Sequence, residues 1–230
     1  VYDAIPNVSY SNTRKSGGIW EIIDDWIAGG VTRRDVEAKY GKIEDWDTSN
    51  VTSMENLFFG KSTFNEDISK WNTSNVTNMA GMFYNARAFK QELNEWNVSN
   101  VTDMRYMFYN CDNFNSKLNK WNVSSVTNMY SMFNQALLFN QELSGWKVQK
   151  VLSMKQMFYH ALAFDQNLSS WEPNVCTDFD GMFVDAFYQT QTRIPINGNW
   201  TSTTTFKNTL DNRLTAGATS DNFFSDNTNY

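Results

Sequence analysis

Apolar positions recur every 25 residues over most of the chain. The step is strictest in six tryptophans, at Trp46, Trp71, Trp96, Trp121, Trp146 and Trp171. Valine, phenylalanine and leucine positions keep the same step, and all ten methionines lie in columns of this kind. A fixed period of 20 to 50 residues is typical of a solenoid, in which each repeat stacks on the next. The apolar columns therefore predict a continuous core, which methionine fills as an adaptable side chain.

The spacing of apolar residues changes inside each unit. Leu93, Trp96 and Val98 end in a two-residue step, which predicts a short strand. From Val101 to Phe108 the spacing is mostly three, which predicts a short helical or 3₁₀ turn. One strand and one helical turn per unit is the plan of leucine-rich repeats. We expect an α/β repeat fold, a right-handed leucine-rich-repeat solenoid with stacked parallel short strands.

The repeat resembles that of a known family. The third unit reads W-N-V-S-N-V-T-D-M from Trp96, followed by Met107-Phe108, Phe114 and Leu118. This pattern is similar to the BspA-type leucine-rich repeats found in surface proteins of bacteria, mycoplasmas and some protists and algae, over about residues 41–188. The resemblance implies display at a cell surface and adhesion or protein binding, without a cofactor. The chain departs from the pattern at Leu152 and at 172–174, which predicts an atypical end unit.

The chain before the repeats is predicted to form a helical cap. Apolar residues within 19–28 share one helical face, and Gly29-Gly30 is expected to end that helix. The run Thr32-Arg33-Arg34-Asp35 resembles a capping box and predicts a second helix up to Tyr40. Because an end coil exposes apolar surface, we expect residues 1–45 to cover it.

Six 25-residue repeats are then expected over 46–188, followed by an irregular C-terminal cap or arm over 189–230. The arm contains Phe223 and Phe224, which are candidate anchors for a partner if they are exposed. The alternative is that this pair packs back on the last coil.

Composition and charge exclude several classes of function. The formal net charge of −6 argues against a basic nucleic-acid-binding face, and no apolar run is long enough for a membrane span. The two cysteines, Cys111 and Cys176, lie in different apolar columns more than two coils apart. That separation exceeds the reach of a disulfide, so we expect two free, buried thiols.

Candidate catalytic chemistry is sparse. His160 is the single histidine, and this count argues against a multi-histidine metal site and against a catalytic triad. No phosphate-binding glycine loop or calcium-loop motif occurs. A two-carboxylate hydrolytic site stays possible on sequence alone, since acids are plentiful. We expect no enzyme activity, no metal and no cofactor.

Two surfaces are candidates for binding a partner. One is the face of the predicted strands, where Lys70, Glu95, Lys120 and Lys147 stand outward. The other is an aromatic column next to the Met-Phe pair, formed by Tyr84, Tyr109 and Tyr159, which suits an interface unless it is buried between coils. Three Asn-x-Ser/Thr sequons on the outward strand positions are candidate glycosylation sites, at Asn72, Asn97 and Asn122.

These features favour a non-catalytic, extracellular or cell-surface module for adhesion or protein interaction. Its partner would be a protein or a glycan at a surface. The main alternative is a structural subunit of an extracellular or surface assembly, joined to other subunits through its ends and its C-terminal arm. A minor alternative is an ice-binding solenoid, because the serine, asparagine and threonine columns could order water.

Overall fold

The computed structural model describes residues 2–6, 18–168 and 170–186. The predicted C-terminal arm, including Phe223 and Phe224, lies outside the described residues. Two helices come first: α1 spans Ile19–Ala28 and α2 spans Gly30–Tyr40. A short 3₁₀ helix, Ile43–Asp45, leads into the repeats. Each later stretch that begins at a repeat tryptophan is called a coil here, from coil 1 at Trp46 to coil 6 at Trp171.

Backbone hydrogen bonds hold successive coils in register. Within coil 1, the N–H groups of alternate residues donate to carbonyls of coil 2, as from Met54 to Asn78 at 2.9 Å and from Phe58 to Met82 at 2.8 Å. The same bonds recur at each later step as far as coil 6. Isolated parallel bridges join Ser53, Asn78, Asp103, Asn128, Ser153 and Asp178 in succession. The residues 53–61 and their counterparts in the later coils are called the ladder segments.

The ladder segments lie where we predicted a helical turn, and that detail of the prediction was wrong. Two residues in each segment have left-handed backbones, such as Asn56 with φ 55° and Gly60 with φ 71° in coil 1. A right-handed helix cannot contain such residues, so the segment forms a series of tight turns. Half of its N–H groups bond within the coil, as from Leu57 to Met54, and the other half bond to the next coil.

The predicted strand from Leu93 to Val98 is also absent from the described part of the chain, where no named strand occurs. Its alternating burial is nevertheless present, since Trp96 and Val98 are buried and Asn97 between them is exposed. Two-residue alternation therefore occurs here without a ladder to neighbouring coils, just after a turn that the Trp96 N–H and the Leu93 carbonyl close at 3.1 Å.

Aromatic side chains form continuous stacks through the core. Phe58 stacks on Phe83 at 5.3 Å between ring centroids, and this column continues to Phe183. A second column begins with Phe64 on Phe89 at 5.9 Å and continues to Phe164. The predicted apolar columns are thus buried, and the methionines and both cysteines lie among them.

Five of the six repeat tryptophans, all except Trp46, donate an indole hydrogen bond to a carbonyl 28 residues earlier. The indole N–H of Trp121 donates to the carbonyl of Leu93 at 2.8 Å, and that of Trp146 donates to Leu118 at 3.1 Å. The same bond, with the acceptor 28 residues earlier, occurs at Trp71, Trp96 and Trp171. A buried indole needs an acceptor for its N–H, which explains why phenylalanine does not replace tryptophan in this column.

The N-terminal helices pack against coil 1. Trp26 of α1 meets Trp46 edge to face at 5.5 Å, and the indole of Trp20 donates to the carbonyl of Glu55 at 2.8 Å. Arg33 of α2 pairs with Glu66 at 3.2 Å and also lies over the ring of Trp26. The helix predicted over 19–28 is confirmed, and its apolar face covers the first coil.

The capping box predicted at the start of α2 is not formed. The helix begins at Gly30, two residues before Thr32, and only Gly29 separates it from α1. The Thr32 hydroxyl instead donates to the carbonyls of Gly29 at 2.8 Å and Asp25 at 3.2 Å. The second helix ends at Tyr40 as predicted.

Replacing Trp121 by phenylalanine should test the hydrogen bonds that the repeat tryptophans donate. The Leu93 carbonyl keeps its bond from the Trp96 backbone at 3.1 Å, so the change removes one of two donors and part of the ring. We expect a loss of about 1–3 kcal/mol in the free energy of unfolding, measured with urea. A benzothiophene analogue of tryptophan at this position keeps the shape without the donor, and should lose about 0.5–1.5 kcal/mol. An unchanged stability for the analogue would show that the bond does not contribute.

The left-handed positions make a paired prediction. Gly60→Ala adds a Cβ that would have no heavy atom within 4 Å. The substitution is therefore disfavoured only by the positive backbone φ of residue 60, which is 71°. Gln156→Gly removes a side chain from the equivalent kind of backbone, with φ 54°. We expect the first to destabilise and the second to stabilise by roughly 0.5–1 kcal/mol in thermal unfolding. Shifts of the same sign for both variants would contradict this account.

Candidate binding surface

A partly exposed aromatic ridge runs along one side of the coils. It follows from the ladder segments, where Phe58 points into the core and the next residue, Phe59, points outward and is 51% exposed. Phe59 stacks on Tyr84 at 4.7 Å, and Tyr84 stacks on Tyr109 at 4.4 Å with nearly parallel rings. Tyr106 packs against this column, and Tyr130 packs against Tyr106. These five residues are called the aromatic ridge.

Tyr106 reaches the ridge because its backbone is left-handed, with φ 58°. Its ring packs edge to face against Tyr84 at 6.1 Å, Tyr109 at 6.0 Å and Tyr130 at 4.8 Å. Partial burial, reinforced by the hydrogen bond with Tyr130, raises the pKa of Tyr106 to about 12. Burial also raises the pKa of Tyr109. A tyrosine hydroxyl is already protonated near neutral pH at its ordinary pKa, and these shifts extend that state to higher pH.

The structure brings two of the three predicted tyrosines together and separates the third. Asn134 occupies the column between Tyr109 and Tyr159, and it is only 3% exposed. Its side-chain oxygen is the one buried side-chain acceptor without a partner in the described residues. Tyr159 packs beside His160 at 4.3 Å between ring centroids. The candidate site is therefore centred on Tyr84 and Tyr109.

A notch interrupts the surface beside the ridge. At two neighbouring positions, coil 1 has Glu55 and Asn56, coil 3 has Arg105 and Tyr106, and coil 2 between them has only Ala80 and Gly81. The missing side chains leave a recess of about 340 Å³, walled by Phe59, Tyr84 and Tyr106 as well as by Glu55 and Arg105. Sequence reasoning missed this feature, although the break in both columns at Ala80-Gly81 is visible in the repeat.

The predicted charged face is present but largely self-paired. Lys70 lies 3.3 Å from Asp45, and Lys120 contacts Glu95. All four side chains are more than half exposed, so water and salt screen these pairs and each contributes little. Lys147 is exposed in the neighbouring column.

The three candidate glycosylation sites are exposed, although they do not lie on strands. The side-chain oxygens of Asn72 and Asn97 each accept bonds from the backbone N–H and the hydroxyl of the serine two residues later. Asn122 accepts a bond from the backbone N–H of Ser124 at 3.2 Å.

The threonine and asparagine columns have bonds between coils. The Thr77 hydroxyl donates to the carbonyl of Thr52, and those of Thr102 and Thr127 donate to the preceding threonine in the same way. Asn75 donates to the carbonyl of Ser49 at 2.8 Å. These hydroxyl protons satisfy backbone carbonyls, which favours a structural role for the columns.

The residues that could support chemistry lie apart from the ridge. His160 is 3.0 Å from Asp185, and both side chains are more than one third exposed. Cys111 and Cys176 are free and buried as predicted. Burial raises the pKa of the Cys176 thiol to about 12 and that of Cys111 further, so both stay protonated. Within residues 2–6, 18–168 and 170–186, no cluster of three or more metal-ligating side chains occurs.

A small apolar patch lies on the outer turns of coils 4 and 5. Leu138 is 52% exposed, and Leu137 and Leu162 beside it are also exposed. The preceding coil has Asp112 and Asn113 at the corresponding positions. None of the helices in the described part of the chain has the length and apolar content needed to cross a bilayer.

One family model matches the sequence. It is described as "Mycoplasma protein of unknown function, DUF285", and it matches twice, over residues 31–136 and 91–200. The two overlapping matches run from α2 through all six coils. No curated protein and no solved structure matches the chain.

Proposed function

The chain belongs to this DUF285 family, and we propose that it is a non-catalytic module for protein interaction or adhesion at a cell surface or outside the cell. We also propose that its architecture is the right-handed leucine-rich-repeat solenoid of BspA-type proteins. The bonds between residues 24 to 28 apart, repeated at each coil, support this architecture. Such folds present extended lateral surfaces to their partners.

The single observation that carries the functional proposal is the aromatic ridge. Tyrosine and arginine are enriched at protein interfaces, because they combine a large apolar contact area with a polar tip. The ridge places four tyrosines and Phe59 on one surface, with Arg105 beside them at 44% exposed. Phe59 and Tyr84 also border the notch, so the ridge offers both area and a recess for an anchoring side chain.

The charged face is the weaker site for a partner. Lys70 and Lys120 each pair with a carboxylate 25 residues earlier, so a partner would have to break these pairs or add to them. A glycan partner would require flat aromatic faces for its sugar rings. Both faces of Tyr84 are covered, one by Phe59 and the other by Tyr109. The ridge therefore favours a polypeptide partner.

An array of extracellular proteins and glycans, probed with the labelled chain, would test this proposal. The ridge variant carries Tyr84→Asn and Tyr109→Asn, since Asn134 shows that this column accepts asparagine. We expect protein spots bound by the wild type to lose about tenfold or more of their affinity for this variant.

The matched control is Lys147→Asn. It places asparagine on the charged face, in the column that already has Asn72, Asn97 and Asn122. Binding should be unchanged in this control. Protein binding that survives in the ridge variant and disappears with Lys147→Asn would transfer the function to the charged face.

The second candidate function, a subunit of a surface or extracellular assembly, is favoured by the leucine patch on coils 4 and 5. Exposed apolar clusters are common at subunit contacts. The C-terminal arm is the other proposed connector, and it lies outside the described residues.

Light scattering of the purified chain over a concentration range tests assembly. If the leucine patch joins subunits, the mass should rise with concentration. The double variant Leu137→Asp and Leu138→Asn copies Asp112 and Asn113 of coil 3, and should abolish that rise. Removal of residues 213–230 tests the arm in the same way. A monomeric mass at every concentration would contradict the assembly function.

A further inference from the structure

We propose that the notch at Ala80-Gly81 is a socket for one aromatic side chain, presented by an extended segment of a partner protein. This inference rests on the proposed binding function and specifies the partner's chemistry. It starts from the register of the coils. Glu55 and Arg105 project one coil before and one coil after Ala80, so the recess is one coil wide and is closed at both ends.

The chain itself shows which side chain suits this space. One coil further on, at the position of Gly81, Tyr106 packs edge to face against the stacked pair of Tyr84 and Tyr109. The pair of Phe59 and Tyr84 beside the notch is stacked in the same way, at 4.7 Å compared with 4.4 Å. An external ring in the notch would therefore meet the preceding ring pair as Tyr106 meets its own.

The floor of the notch consists of Ala80 and Gly81, and the ring would lie on Ala80 beside the amide of Asn56. A Cβ at Gly81 would lie 2.2 Å from the side-chain oxygen of Asn56, so this amide already reaches over the floor. It can accept a hydrogen bond from a tyrosine hydroxyl or from the partner's backbone. The recess of about 340 Å³ lies at the small end of ligand sites, which suits one anchoring side chain.

Charges at the two ends specify the flanking residues of the partner. Glu55 lies at one end, with one carboxylate oxygen accepting from Asn78 at 3.0 Å. Arg105 lies at the other end, roughly 10 Å away for two coil spacings, and its guanidinium is 3.3 Å from the carboxylate of Asp103. In an extended peptide, residues two positions before and after the aromatic one face the same side, with about 13 Å between them. A basic residue towards Glu55 complements the charge there, and an acidic residue towards Arg105 would share the guanidinium, which is 44% exposed, with Asp103.

Selection from a phage library of random seven-residue peptides tests the proposal. The immobilised wild-type chain selects binders, after depletion on Ala80→Tyr. That variant fills the notch with the residue that coil 4 has at the same position, Tyr130. We expect enriched peptides to share an aromatic residue, flanked two positions away by a base on one side and an acid on the other.

Fluorescence anisotropy then measures the most enriched peptide. We expect its affinity to fall by about tenfold or more for Ala80→Tyr, and by a similar factor when its aromatic residue becomes alanine. Glu55→Gln and Arg105→Gln should each weaken binding by roughly two- to fivefold, since these charges are partly exposed. The control Lys155→Tyr adds tyrosine to the same column in coil 5, away from the notch, and should bind as the wild type does.

Circular dichroism shows whether Ala80→Tyr is folded. If it is not, Ala80→Lys replaces it, because coil 5 has Lys155 at the same position.

Three outcomes would each overturn the proposed socket: enriched peptides without an aromatic residue, equal binding to the filled variant, or no enrichment at all. Glycans that bind the wild type and not Ala80→Tyr would also overturn it, by making the notch a sugar site. The wider binding function would still stand if the array shows protein binding that requires Tyr84 and Tyr109.

Discussion

The structure depends on one constraint, which is that each coil must satisfy its backbone polar groups on the next coil. An unpaired buried N–H or carbonyl costs about as much as a lost hydrogen bond, so the coils cannot slide past one another. In the ladder segments, alternate N–H groups donate to a residue 24 positions later, and this holds from coil 1 to coil 6. The 25-residue period follows from this register, and the side-chain columns follow from the period.

The same backbone explains why the ladder segments are neither strands nor helices. Because a left-handed residue occurs every four positions, half of the N–H groups donate to carbonyls within the same coil. The other half donate to carbonyls of the next coil. Such residues are strained unless they are glycine, and the stacked phenylalanines and indole bonds hold the segments in place. The strain also has a consequence at the surface, since Tyr106 owes its position on the ridge to a left-handed φ of 58°.

Much of the candidate site follows from departures from the repeat. Tyr84 and Tyr109 could be selected from sequence because they stand next to the Met-Phe pair in consecutive units. Phe59 stands in the same column and was missed, because a phenylalanine in this chain is usually a core residue. Sequence reasoning also missed Tyr106, Tyr130 and the Ala80-Gly81 notch. These positions belong to two columns whose side chains point outward because of the left-handed turns. No simple periodicity reveals such turns, since the three-residue apolar step that they produce is also the step of a helix.

The sequence by itself determined the period, the stacking of like residues, the buried state of both cysteines and the helix over 19–28. These follow from apolar patterning, because burial of columns and of one helical face is required whatever the local backbone does. Only the tertiary structure decided where the coils bond to one another and which polar columns pair internally. It also decided that Tyr159 stands apart from the ridge and that Lys70 and Lys120 have carboxylate partners. Those outcomes depend on backbone dihedrals and on contacts between residues 24 to 28 apart, which no single repeat contains.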